Sequence, residues 1–290
     1  MNISLECIPC IVNNFIKLIK NSPLPGSAHE SHLRKFLTFL SSSNFQQSPP
    51  LLGREIHRMI RNMLKDNDPY QNIKQKYNHM MLNRYTEFED LVKKSNTPFL
   101  TALKLAISGN VIDFGCEHQL DMMETVNKIL NSELDKNESD QLYNDLEKAD
   151  QVLYIGDNCG EIVLDKLFIQ TIKHPNLYIA VRGGAVINDV TIDDMDMICF
   201  NDYTKVITTG DDAPGAVWET CSAEFKNIFK QSDVVIAKGQ GNLEGLIDVH
   251  HNIYFLFVVK CNLIASRVGA KVGDCIIKNS KTIHNITEGK

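Results

Sequence analysis

The chain has 290 residues, 43% of them hydrophobic and 23% charged, with a formal net charge of −6. This is globular composition at a length that buries a core without disulfide or metal staples. The acidic balance and scattered basic residues exclude nucleic acid and anionic membrane as expected partners. No apolar run reaches the ~18 residues of a membrane span, and the N-terminus lacks signal-peptide order, so a cytoplasmic location is expected.

The first twenty residues form an amphipathic helical pattern carrying Cys7-Ile-Pro-Cys10. A CxxC can bind metal, run redox chemistry or do neither. Zinc wants four ligands, and neither a second CxxC nor a suitably spaced His pair exists; His118 and His250-His251 do not match. The expectation is a structural or incidental role, with accessory redox or metal binding as the alternative. The other cysteines among the eight are isolated, which fits a reducing compartment, and most are expected to be buried small apolar residues.

Apolar residues recur at three- and four-residue spacing over 10–19, 33–40, 55–64 and 99–107, predicting helices. Ser, Asn and Pro mark breaks at 21–27 and 41–50. Ser108-Gly-Asn-Val-Ile-Asp113 ends one helix; Asn110 and Asp113 either reach toward a site or form a helix cap and a local hydrogen-bonded pair. Further helices are expected over 119–131 and 139–148.

Near Asp150 the pattern changes. Short apolar strand candidates at 151–155, 176–181, 197–200, 205–208, 234–237 and 253–259 alternate with helical stretches at 161–173 and 222–231. This predicts an all-helical N-terminal domain, 1–148, and a Rossmann-like three-layer α/β/α domain with a mainly parallel sheet, 149–290. Such sheets bind ligands beyond the carboxyl ends of their strands, so the chemistry should follow the apolar runs.

Three motifs do so. Tyr154-Ile-Gly-Asp-Asn-Cys-Gly-Glu161 places Asp157 and Asn158 as hard oxygen donors on a tight turn before a helix; the competing reading is a capped turn. Arg182-Gly-Gly-Ala-Val-Ile-Asn-Asp-Val-Thr191 places Asn188 and Asp189 past the next strand, where a carboxylate could complete a metal site. Asp193, Asp194 and Asp196 beyond it read as a capped helix start. Ala237-Lys-Gly-Gln-Gly-Asn-Leu-Glu244 offers Lys238 and glycines, including Gly239, as a phosphate seat, though it is neither Walker A nor GxGxxG. Thr208-Thr-Gly-Asp-Asp-Ala-Pro-Gly215 reads as a plain connection.

Taken in order, CIPC, GNVID, GDNCGE, INDVT, TTGDDAPG, KGQGNLE and VVKCNLIA resemble the damage-control phosphatases, also catalogued as domain of unknown function eighty-nine, in their prokaryotic-type branch. The resemblance spans Cys7 to about Cys275. It implies a helical part joined to a Rossmann-like core, and metal-dependent hydrolysis of phosphate monoesters of small metabolites. It implies metal ligands at Asp157, Asn158 and Asp189, and a phosphate-side lysine at Lys238 with Asn242 in the same loop. Glu161 and Asn110 match positions lining the family's site. Arg182-Gly-Gly-Ala departs from the Lys and Pro that relatives often carry. The open, hard-oxygen site suits Mn²⁺ or Mg²⁺, with Co²⁺ or Ni²⁺ as substitutes. Competing hypotheses are an S-adenosylmethionine-dependent carboxyl methyltransferase and a non-catalytic metal- or metabolite-binding module.

Overall fold

A computed structural model describes residues 1–109, 119–200 and 204–288. Asn110 and Asp113 lie outside the described residues. Among those described, eight helices precede the first strand: α1 (Cys7–Asn21), α2 (Gly26–Ser42), α3 (Pro49–Leu64), α4 (Gln71–Leu82), α5 (Tyr85–Lys94), α6 (Pro98–Gly109), α7 (Gln119–Leu130) and α8 (Lys136–Lys148). Local chemistry sets several of their starts. Proline opens α3, where a missing N–H costs nothing. Asp135 caps α8 by accepting from Asn137 N at 3.1 Å and Glu138 N at 3.3 Å.

The second half alternates β1 (Val152–Ile155), α9 (Glu161–Ile172), β2 (Leu177–Val181), α10 (Ile192–Ile198), β3 (Thr204–Thr208), α11 (Ala223–Gln231), β4 (Val234–Lys238), α12 (Gly239–Leu246), β5 (Ile253–Val258), α13 (Asn262–Val268), β6 (Cys275–Asn279) and α14 (Ser280–Glu288). The six strands form one sheet in the order β3-β2-β1-β4-β5-β6, and only β6 at the edge is antiparallel. The three-layer, mainly parallel reading holds.

Each central strand divides its side chains between two cores, as the two-residue period requires. Val152, Tyr154, Val234 and Ile236 face a core built with α4–α9. Leu153, Ile155, Val235 and Ala237 face a second core closed by α11–α14. Helices α1–α3 keep a small core of their own, in which Phe15 and Phe36 stack with ring centroids 4.0 Å apart. Because α4–α8 share a core with the sheet, we propose the boundary at 148/149 as a junction in chain organisation that this core spans.

The sequence reading misplaced some elements. The first half of the expected strand at 197–200 belongs to α10, which ends at Ile198. Thr191 and Asp194 form a capping box there, and Met195 and Ile198 bury one helical face. Helices α4 and α5 and edge strand β6 went unread, because their apolar residues are interleaved with polar ones that tertiary contacts absorb. Lys74 of α4, for example, is buried against Asp194 at 2.7 Å and Asp68 at 3.0 Å. Among the described cysteines only Cys159 and Cys221 are buried, so the expectation that most are core residues fails.

Phe168 on α9 is fully buried, with Phe99 of α6 at 5.5 Å and Tyr154 of β1 at 6.4 Å between ring centroids. Truncation to Ala should lower unfolding free energy by about 3–5 kcal/mol while leaving a single transition in urea. Two separate transitions would mean that the helices and sheet do not share a core.

Candidate functional site

Strands β1 and β4 are neighbours, and the chain leaves them toward opposite sides of the sheet. That is the topological switch point, where a crevice opens beyond the strand ends. Asp157 follows β1 and Gly239 follows β4. The loop after β2 is stitched onto the β1 loop by backbone bonds: Val190 N donates to Asp157 O at 2.9 Å, and Cys159 N to Asn188 O at 2.8 Å. An isolated antiparallel bridge joins Asn158 to Asp189. Ile187 just before it takes φ 44°, a strained value for a β-branched residue that the surrounding loop must enforce.

Asp157, Asn158 and Asp189 are thus brought together, all buried. Between the two carboxylates lies Arg182, its side chain fully buried. Its Nη2 donates to Asp157 Oδ1 at 3.0 Å, its Nε to Asp189 Oδ2 at 2.6 Å, and its Nη1 to Asn242 Oδ1 at 3.1 Å. Burial raises the Asp157 carboxyl well above its usual range, Asp189 and Glu161 raise it further, and Arg182 and Lys260 pull the other way. Sequence reasoning passed over Arg182 as a family departure. The available signal was a cation directly after an apolar strand, at the position where ligands bind.

Asn242 and Gly239 fix the β4 side. Asn242 Nδ2 donates to Gly156 O at 3.2 Å, and its Oδ1 also accepts from Ala216 N at 2.7 Å. Gly239 has φ +77°, and a Cβ there would sit 1.9 Å from Asp157 Oδ2. Only glycine lets this backbone approach the carboxylate. Asn188 is buried beside Asp189, with its carbonyl holding Cys159 N.

Lys238 sits differently from the expected phosphate seat. It is completely buried, donating to Glu161 Oε1 at 2.5 Å, Asp165 Oδ1 at 2.6 Å and Ala106 O at 2.8 Å. The reason is helical spacing: Glu161 and Asp165 are i and i+4 on α9, so both face β4. Burial opposes the charge of Lys238, but Asp165 and Glu161 push it up to about 12. Burial and the Glu161 charge push Asp165 up to about 7 against the pull of Lys238, and Tyr154 donates to it at 2.7 Å. Glu161 Oε2 in turn accepts from Asn158 Nδ2 at 3.1 Å, and that amide also reaches Asp157 Oδ2 at 2.8 Å. Asp165 was legible only as a polar residue within the apolar run of α9.

The helical half closes over the loops. Asn78 of α4 accepts from Gly160 N at 2.6 Å. The 209–215 loop, expected to be a plain connection, is clasped by α3: Arg54 meets Asp211 at 3.0 Å, and Arg58 and Arg61 meet Asp212 at 2.6 Å and 2.5 Å. Arg61 also donates to the carbonyl of Ala185 in the β2 loop.

The donor set at the strand ends is two carboxylates and one amide, all hard oxygen ligands. No cluster of three or more His, Cys, Asp or Glu poised for a metal occurs among the described residues. With Asn158 Nδ2 committed to neighbouring carboxylates, Oδ1 is the amide atom left to face a cation. Two carboxylates and an amide oxygen suit a hard divalent ion that keeps much of its water.

The family profile described as the damage-control phosphatase ARMT1-like domain matches residues 3–276. An uncharacterized protein of Methanocaldococcus jannaschii is 32% identical, over 96% of this chain and 95% of its own. A damage-control phosphatase of Pyrococcus horikoshii is 30% identical over 97% of this chain and 99% of its own. One from Archaeoglobus fulgidus is 30% identical over 78% and 81%. The crystal structure of a DUF89 family protein from Pyrococcus horikoshii superposes with a TM-score of 0.87 at 30% identity, covering 97% of this chain and 99% of that one.

Removing the charge of Lys238 strands two buried carboxylates. Lys238→Met should cost about 3–5 kcal/mol of stability at neutral pH, measured by urea unfolding. A loss below about 1 kcal/mol would show that the network is not held by this ammonium. The α3 clasp should be acid-sensitive. Burial raises the Asp212 pKa, but hydrogen bonds from Arg58 and Arg61 outweigh it and hold the group down at about 2. A depressed carboxylate contributes stability above its unfolded value of 3.8, and that contribution is lost as pH falls through about 2. Asp212→Asn should therefore flatten the pH dependence of stability between about pH 4 and 2.

Proposed function

The chain belongs to the damage-control phosphatase ARMT1-like family, and from that premise we propose that it is a metal-dependent phosphatase hydrolysing phosphate monoesters of small metabolites, such as sugar phosphates or damaged phospho-metabolites. The observation that carries the reading is the convergence of Asp157, Asn158 and Asp189 at the switch point, with a buried guanidinium spanning both carboxylates. An anionic ester needs positive charge where it binds, and a metal with one local cation supplies that on an otherwise acidic protein.

Asp157, Asn158 and Asp189 are the proposed ligands of a divalent ion, Mn²⁺ or Mg²⁺, with Co²⁺ or Ni²⁺ as substitutes. Such an ion, when bound, supplies Lewis acidity toward a phosphoryl oxygen. The chain's own groups do the positioning. Arg182, pinned by three acceptors, is a preorganised planar cation that needs little rearrangement when charge builds on phosphoryl oxygens. Lys238 acts through Glu161: its ammonium fixes that carboxylate, which orients the Asn158 amide. Asn242 ties Arg182 to the start of α12, and Gly239 lets backbone lie against Asp157. Asn188 is proposed to line the same crevice, with Glu161 backing it through the Asn158 amide, and Asn110 is proposed to join them. The ligand is a small phosphorylated metabolite. Among the described residues no helix is long and apolar enough to cross a membrane.

Asp157→Ala and Asp189→Ala should each lower hydrolysis of p-nitrophenyl phosphate and of a sugar phosphate by at least about a hundredfold. Chelation should abolish wild-type turnover, and added Mn²⁺ or Mg²⁺ should restore it. Full activity in either variant, or in the chelated enzyme, would overturn the assignment.

A further inference from the structure

The phosphatase reading leaves Cys7 and Cys10 unused. They are positions i and i+3 in the first turn of α1. Helix geometry puts such Cα atoms about 5 Å apart, inside the roughly 4.4–6.8 Å window a disulfide accepts. The bond can therefore close without unwinding the helix. Pro9 between them stiffens the turn, and its missing N–H falls where helix donors have no partner anyway.

The two thiols differ. Cys10 is exposed and receives the Asn14 side-chain amide at 3.7 Å. Cys7 is half-buried, and its backbone N–H is tied to Ser4 O at 3.0 Å. Burial raises the Cys7 thiol, Ser4 pulls the other way, and the Glu244, Cys261 and Cys10 charges raise it further. Gln240 braces this neighbourhood, donating to Glu244 at 3.0 Å and reaching the Cys261 sulfur at 3.7 Å. An accessible thiol with a donor on its sulfur, beside a sheltered one, is the division of labour of an attacking and a resolving cysteine. A metal reading finds no support, since no group of three or more His, Cys, Asp or Glu among the described residues is poised to hold an ion.

We propose that Cys7 and Cys10 are a reversible dithiol–disulfide pair that exchanges with small-molecule disulfides of the glutathione class. The Cys10 thiolate attacks one sulfur of the disulfide RSSR; that S–S bond breaks, and RS⁻ leaves and takes up a proton. Cys7 then gives its proton to solvent and attacks the Cys10 sulfur, closing the protein disulfide and releasing a second RSH. Two protein thiols lose two electrons, and one RSSR becomes two RSH. This proposal is independent of the phosphatase assignment.

The test is to treat the reduced full-length protein with oxidised glutathione, quench with an alkylating agent, and map the peptides by mass spectrometry. A dithiothreitol-reversible Cys7–Cys10 link is expected in the wild type. Cys7→Ser should retain a stable glutathione adduct on Cys10. Cys10→Ser should leave Cys7 free for slow alkylation, with circular dichroism reporting that both variants fold. A lasting glutathione adduct on wild-type Cys10 with Cys7 still free would overturn the pair. So would an unreactive Cys10, or a link from Cys7 to Cys261 instead.

Discussion

Two carboxylates at the ends of adjacent parallel strands repel each other and resent burial. At an effective dielectric near 20, charges about 4 Å apart interact by about 4 kcal/mol, a large share of a domain's stability. The sheet order forces this problem on the molecule, because β1 and β2 are neighbours and each ends in an Asp-bearing loop. Arg182 answers it from within the same loop. One planar group reaches Asp157, Asp189 and Asn242 at once, which a lysine ammonium could not do with the same geometry. Asn242 links that guanidinium to α12, and Gly239 lets the same turn lie against Asp157.

A second charge cluster lies one layer deeper. Lys238, Glu161, Asp165 and Tyr154 form a closed network with no exposed side chain. Burial, with the neighbouring Glu161 charge, pushes Asp165 up to about 7 against the pull of Lys238. This network reaches the proposed metal site through the Asn158 amide, and so serves as its support. Rigid backing matters because a catalytic constellation loses most of its effect when displaced by about 1 Å.

The helical half is part of the same device. Its α4 supplies the acceptor for Gly160 N, and its α3 supplies three arginines that fasten the loops after β2 and β3. The crevice beyond the sheet is therefore roofed by segments between 82 and 157 residues away in the chain. The shared hydrophobic core around Phe168 and Phe99 keeps roof and sheet in register.

Much of this was legible in the sequence. Asp157, Asn158 and Asp189 stood out because each follows an apolar β-branched run, and strand period and switch-point geometry are properties of local pattern. The ordered motifs identified the family before any coordinates did. What sequence could not decide was who pairs with whom. Lys238 was readable as a cation after a strand, but α9, some seventy residues earlier, captures it because Glu161 and Asp165 share a helical face. Arg182 looked like a local departure, since its meaning depends on carboxylates from two loops meeting around it. The loop at 209–215 looked like a connection until α3 placed its arginines there. Local pattern determines elements and their periodicity; the partner of a buried charge is set by where distant elements meet, and only the tertiary structure decides that.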